Sequence, residues 1–239
     1  GQINYGARFN GSSSNISFPA ILSSAYTGSV SASVWFKTTE NSTDIKTIIN
    51  SSNTFSGTSP KGFALFTESG VLRFVKWNIS GTSASNGTTN IIDGDWHNAI
   101  IVLDNPNGTL KLYLDGETTT PEISFSITAN QTYNKIFADT WYLAQQGAIS
   151  TRYFNGDIDQ VRIFSKALNS TEVGTLYAET ACVYTATTTD NNYPTTNLAY
   201  YKLDNSAEDE KGSYDGVETD IEYRFGRYGQ AAVFNGSSS

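Results

Sequence analysis

Methionine is missing from all 239 residues, cysteine and histidine occur once each, proline five times, and basic residues number only 15. With no initiator methionine, the polypeptide is expected to be processed or an excerpt of a longer product. Cys182 alone cannot form an intrachain disulfide, so any durability outside the cell must come from packing, ions or assembly. His97 alone excludes a zinc site built from several histidines and leaves any nucleophilic triad dependent on one residue. Against 23 acidic residues the basic ones leave a net charge of -8, which argues against a nucleic-acid partner held through phosphates. No apolar stretch is long enough for a secretory signal or a membrane span, so membrane insertion is not expected.

What is plentiful points to β-structure. Fourteen Tyr and 13 Phe accompany abundant Thr, Ser and Asn, residue types that fit a pleated, half-buried surface. Asn-Gly or Asp-Gly pairs recur from Asn10 to Asn235 and supply the positive φ angles of tight turns. Between them, Val30, Ala32, Val34 and Phe36 alternate on one face of a strand, and Ala99 to Leu103 is continuously apolar, as in a central strand. Asn107-Gly108 then turns into Thr109 to Leu114, which predicts a hairpin. Further strands are predicted at Lys46 to Ile49, Phe63 to Thr67, Val71 to Trp77, Phe137 to Leu143, Asp157 to Phe164 and Leu198 to Leu203. One short helix is predicted near residues 169–178, where Asn169 and Glu172 have capping-box spacing and Val173, Leu176 and Tyr177 follow at helical spacing.

The chain ends as it begins. Phe234-Asn235-Gly236-Ser237-Ser238-Ser239 repeats Phe9-Asn10-Gly11-Ser12-Ser13-Ser14 at an offset of 225 residues, with Ala232 on Ala7 and Gly226 on Gly1. A period of that length suits one large sandwich with a full core, and its overlap at both ends reads as one period of a tandem array. Residues 181–196, rich in Thr and Asn and containing Pro194, read as a linker.

Three stretches carry a family resemblance. Asp93-Gly94-Asp95-Trp96-His97-Asn98, an apolar strand and Gly108 to Gly116 form the first; Phe154 to Phe164 with Ala167-Leu168 and the capped helix form the second. Leu198 to Asp204 followed by Gly226 to Gly236 form the third. Together they resemble the laminin G-like, concanavalin A-like jelly-roll superfamily. The resemblance implies an all-β fold of two stacked antiparallel sheets, displayed on extracellular or virion surfaces and commonly in tandem. It also implies that the opening strand, Leu198 to Leu203, pairs beside the closing strand, Ile158 to Phe164. Residues 1–180 would then be a jelly roll lacking its own opening strand, and 197–239 the opening segment of the next repeat or a strand donated to a neighbour. Upstream sequence, the chain's own C-terminal segment or a neighbouring molecule could fill the slot, with Leu198, Tyr200, Tyr201 and Leu203 as the assembly strand.

Chemistry adds little that is enzymatic. The alternating Glu-x-Asp-x-Glu of the jelly-roll glucanases is absent, as is a Gly-x-Ser-x-Gly elbow, and the chain is read as non-catalytic. Glu208-Asp209-Glu210 reads as a solvated loop, with a calcium-binding turn as the alternative. His97 reads as a packing and hydrogen-bonding residue of the family signature, and Cys182 as a buried or linker thiol rather than a nucleophile. Asp159 alternates with Val161 and Ile163, which places a carboxylate among apolar side chains and demands a fixed partner, an arginine or backbone amides. No cofactor is required. Calcium is possible, although the stretch Tyr142 to Ala148, which corresponds to the pentraxin ion loop, offers two amides and no carboxylate. For glycan recognition the candidates are Trp77, Trp141 and Tyr142 with Gln145, aromatic faces beside an amide near predicted strand ends. Asn41, Asn78, Asn130 and Asn169 sit in glycosylation triplets that composition alone can produce. Two functions follow: a structural and adhesive repeat of a surface or virion fibre, partnered by copies of itself, or a lectin module for host-surface carbohydrate.

Overall fold

The alternation at residues 30–36 is realised as a strand whose Val30, Ala32, Val34 and Phe36 all enter the main core. A computed structural model describes residues 7–21, 26–51, 62–77, 79, 81–131, 140–146, 151–179, 197–203, 205–219, 223–225 and 230–232. The chain runs through β1 (Ala7–Asn10), β2 (Asn15–Phe18), β3 (Val30–Lys37), β4 (Lys46–Asn50), β5 (Gly62–Glu68) and β6 (Val71–Trp77). It continues with β7 (Ser83–Asn86), β8 (His97–Asp104), β9 (Thr109–Leu114), β10 (Ile123–Ser126), β11 (Trp141–Leu143) and β12 (Asn155–Phe164). After helix α1 (Ser170–Ala178) come β13 (Asn197–Tyr201), β14 (Val217–Thr219), β15 (Tyr223–Phe225) and β16 (Gln230–Ala232).

Fourteen of these strands form two antiparallel seven-stranded sheets, and β15 and β16 pair with each other as a two-stranded ribbon. The first sheet has the order β1-β12-β3-β8-β9-β10 with β13 also on β12, and the second the order β14-β2-β11-β4-β5-β6-β7. Their inner faces interdigitate in one core: Phe36, Ile101, Leu112 and Ile163 from the first sheet meet Phe63, Leu65, Phe74 and Trp141 from the second. This is the all-β jelly-roll sandwich with one short helix that the sequence predicts. Residues 137–139 of the predicted strand at 137–143 and the predicted linker 181–196, Cys182 included, lie outside the described residues.

Strand β3 is buried on both faces, more than alternation alone indicates. The cause is α1, which lies on the outer face of the first sheet. Val173 and Leu176 pack with Leu168 against Ile100, Val102 and Phe164, while Tyr177 stacks on Trp35 with ring centroids 5.6 Å apart. The capping box is formed as the spacing predicts: Asn169 accepts from the Glu172 amide, and Glu172 accepts from the Asn169 amide.

The C-terminal segment contributes to both sheets. β13 pairs with the second half of β12, Val161 on Tyr201 and Ile163 on Ala199, and β14 pairs with β2, Val217 on Ser17. Between them Tyr201 packs on Phe18 at 4.1 Å and donates its hydroxyl to the Tyr214 carbonyl at 2.6 Å. Burial pushes the Tyr201 phenol far above its ordinary pKa, so it stays protonated and keeps donating. Asp209 is not solvated: it is buried and accepts from the amides of Tyr200 and Lys211, while Glu208 and Glu210 face water. The solvated-loop reading therefore holds for the two outer residues and fails for the middle one, whose carboxylate ties the segment's own backbone.

The predicted hairpin joins β8 to β9, with Gly108 at φ +65°. A Cβ there would lie 2.6 Å from the Ile127 carbonyl oxygen. Gly108→Ala is accordingly expected to lower unfolding free energy by about 1–3 kcal/mol, from the left-handed backbone and the clash together. Urea unfolding checks this as a lower midpoint at unchanged slope.

Candidate functional site

The middle of β12 departs from simple alternation. Gln160 adopts φ +50°, and the β12–β3 register shifts between Asp159 and Arg162. The core residues are therefore Ile158, Val161 and Ile163, with a three-residue step across the bulge. Asp159 pairs with Trp35, whose ring lies on the helix-covered outer face, so Asp159 does not share the face of Val161 and Ile163 as strict alternation predicts. Its carboxylate does have a backbone donor, the Gln160 amide at 2.8 Å. On the same side Arg162 lies over the Tyr200 ring at 4.6 Å and pairs with Glu179. Tyr200 donates to Gln160 Oε1 at 2.7 Å. Strand β13 is thus tied to the bulge by side chains as well as by its ladder. Tyr200, Tyr201 and Leu203 are buried and Leu198 is partly buried against the core.

The four proposed glycan contacts separate. Trp141 is fully buried, with Phe63 edge-on at 5.6 Å, because β11 runs between β2 and β4 with its odd positions facing the core. Its ring cannot serve as an exposed sugar platform. Tyr142 points the other way and is half-buried, in a row with Asn50, Ala64 and Val75 across four strands. Gln145 donates to the Tyr153 hydroxyl at 3.1 Å. Trp77, half-buried against Phe66, lies on this outer face too, but three strand spacings from Tyr142, roughly 14 Å. In the calcium-loop stretch, Gln146 is buried and accepts from Arg152. Among the described residues no three His, Cys, Asp or Glu side chains are grouped to hold a metal, and no helix is long and apolar enough to cross a membrane.

Sequence patterns miss a second polar site at the start of β12. Arg8 on β1, Asp157 on β12 and Lys37 on β3 are cross-strand partners. Asp157 lies 3.4 Å from the Arg8 guanidinium and 3.6 Å from the Lys37 ammonium. These residues, with the loop after β3 and Gly94, line a surface cleft of about 410 Å³. Only strand register brings positions 8, 37 and 157 together. Trp96, half-buried, carries the Lys37 ammonium 5.1 Å over its ring.

His97 holds the neighbouring turn. Its Nδ1 faces Asp115 Oδ2 at 2.7 Å and its Nε2 faces Asp93 Oδ1 at 3.1 Å. Only the doubly protonated ring can donate to both. Burial opposes that charge, but the hydrogen bonds and negative charges of Asp115 and Asp93 outweigh it, and His97 titrates above its ordinary value.

Residues 10–174 match the family model of the concanavalin A-like lectin/glucanases superfamily, and the chain belongs to that superfamily. Solved structures show the same fold at low identity. A Bacteroides ovatus protein whose carbohydrate binding is itself inferred has 17% identity and a TM-score of 0.68, with 97% of this chain and 62% of that one covered. The native heptameric SAP-like pentraxin of Limulus polyphemus has 13% identity and a TM-score of 0.56, with 99% and 98% covered. The CBM40 of the Ruminococcus gnavus IT-sialidase, bound to α2,3-sialyllactose, has 14% identity and a TM-score of 0.53, with 71% and 96% covered. The chain thus spans under two thirds of the Bacteroides protein. No curated protein matches the sequence.

The raised value fixes the sign of a pH effect. A histidine that binds its proton more tightly when folded stabilises the fold fully below its unfolded pKa, near 6.5, and loses that contribution as pH rises through the folded value. Between about pH 6 and about pH 9, wild type should lose on the order of 1 kcal/mol relative to His97→Gln, discounted for the exposure of Asp93. Thermal midpoints across that range check it, and a constant offset between the two proteins contradicts it.

Proposed function

We propose that this chain is a non-catalytic structural and adhesive repeat of an extracellular or virion-surface appendage, joined to adjoining copies through residues 197–219. The observation that carries this reading is that one segment supplies strands to both sheets and is followed by a restart of the chain's own first residues. Strand pairing is made by backbone groups, so the slot beside β12 accepts the equivalent segment of another copy by the same ladder. Closure matters energetically. Burying side chains the size of Tyr200, Tyr201 and Leu203 contributes about 1.5–3 kcal/mol each. An empty slot would also leave the buried half of β12 without partners on one side. A linkage that strong suits a head-to-tail fibre or a tandem array.

The second reading is a lectin module for surface glycans. It is supported by the superfamily, by the carbohydrate-binding description of the Bacteroides protein and by the sialyllactose bound to the Ruminococcus module. The two readings are compatible, since a fibre can bind along its sides. Neither requires calcium.

Cross-linking tests the joint. Ile163 and Ala199 are partners across β12 and β13. With Cys182→Ser removing the native thiol, Ile163→Cys with Ala199→Cys is oxidised in the purified 239-residue chain and run under denaturing, non-reducing conditions. A ladder of covalent multiples is expected where segments join copies. A single band at monomer mass limits the segment to closing its own chain and removes the assembly role.

A further inference from the structure

β1 occupies a groove that a second stretch of the same chain is equipped to fill. Along β12 its partners are Ala7 on Ile158, Arg8 on Asp157, Phe9 on Gly156 and Asn10 on Asn155. Ala7 and Phe9 enter the core, and Phe9 meets Phe154 edge-on at 6.5 Å. The turn that follows makes two further demands. Gly11 sits at φ +76° and donates its amide to the Phe154 carbonyl at 3.0 Å, and a Cβ there would lie 2.9 Å from that of Asn155. Asn10 Oδ1 accepts from the amides of Ser12, Ser13 and Ser14, which closes the turn.

At the 225-residue offset each of these requirements recurs in the sequence. Ala232 and Phe234 match the two inward residues, Asn235 and Gly236 match the turn, and Ser237 to Ser239 match the three serines. Within the four strand positions only the outward one differs, Arg8 against Val233. Arg8 is 47% exposed and 3.4 Å from Asp157, so this ion pair adds little to strand affinity, and Asp157 would keep Lys37 at 3.6 Å. Valine is the better strand former there. The core-facing contribution, which dominates, is the same for both stretches. They are therefore near equals as occupants, and placement decides between them. β16, which ends at Ala232, and its partner β15 both approach β1 to within 8 Å between Cα atoms. The second copy, of which residues 233–239 lie outside the described residues, thus starts beside the groove, where a tethered segment competes at high effective concentration.

We infer that the groove along Asn155 to Ile158 is a binding site for residues 232–236 of the same chain, which exchange with Ala7–Asn10 in register. Ala232 then stands opposite Ile158, Val233 opposite Asp157, Phe234 opposite Gly156 and Asn235 opposite Asn155, with backbone groups rebuilding the same ladder. The exchange frees residues 1–10 from β12 and removes Arg8 from its place beside Asp157 and Lys37. It involves the other half of β12 from the joint proposed at residues 197–219 and does not depend on that joint.

A cycle of core substitutions tests the exchange. In the 239-residue chain, Phe9→Ala, Phe234→Ala and the double variant are unfolded in urea. Each single substitution should lower the midpoint by less than about half of the fall seen in the double variant, because the remaining phenylalanine takes the place against Phe154. A midpoint that Phe9→Ala lowers as far as the double variant does, or a Phe9→Ala chain that does not fold, overturns the inference. Cross-linking gives a second measurement with the core intact. With Cys182→Ser removing the native thiol, Asp157→Cys with Val233→Cys is oxidised at high dilution and the bridge located by peptide mass spectrometry. A disulfide joining positions 157 and 233 of one chain is expected. A folded protein that keeps both thiols free, or a bridge found only between chains, overturns the exchange within the chain.

Discussion

Every strand in the first sheet depends on β12 having both of its edges paired. One edge is served by β3 along most of its length, and the other by two short strands placed end to end, β1 on Asn155 to Ile158 and β13 on Val161 to Phe164. A buried strand cannot leave its amides and carbonyls empty without a cost comparable to several lost hydrogen bonds. That requirement explains why residues far apart in the chain, 7–10 and 197–201, are drawn to one strand. It also explains why the C-terminal segment is so heavily apolar on one side. Ala199, Tyr201 and Leu203 enter the core, and Tyr200 on the other face is held by Gln160 and the Arg162 guanidinium.

The bulge at Gln160 is what allows two different strands to share that edge. A single extra residue there changes which face the carboxylate of Asp159 occupies and lets Arg162 meet Glu179 and Tyr200. Without it, alternation would carry Asp159 into the core, where a carboxylate costs several kcal/mol unless paired. The bulge is thus a structural device as much as an irregularity. It separates a half of β12 that is closed by the distant segment from a half that carries Asp157 and its two cationic neighbours.

Much of this fold is legible in the sequence, and what is not shares one physical cause. Local patterns sufficed where a strand's own neighbours decide its state: the four apolar positions of β3, the β8–β9 hairpin around Gly108, the whole of β6 and the capped helix. They failed where the deciding partner is distant. Trp141 reads as a strand-end aromatic until β2 and β4 are seen on either side of it. Asp159 reads as core-facing until the bulge is placed. The short strands β2, β7, β10 and β14 have too few residues to show a period and exist because an adjacent edge needs them. Arg8, Lys37 and Asp157 give no signal as a group, since nothing but register across three strands unites them.

The same register separates the charged cleft from the closing segment. Arg8, Asp157 and Lys37 sit on the β1 half of β12, whereas Val161 to Phe164 form the half that β13 completes. Both halves belong to one strand, but no side chain named in the cleft comes from residues 197–219. Exchange of that segment between copies, as proposed above, would therefore leave the cleft assembled. If the proposed joint links copies, the array could lengthen without altering the cleft, and substitutions at a position such as Arg8 would not touch the β12–β13 ladder. The β12–β13 ladder is made by backbone groups, whereas Arg8, Lys37 and Asp157 meet through side chains on the other half of the strand, so substitutions in the one set leave the pairing of the other in place.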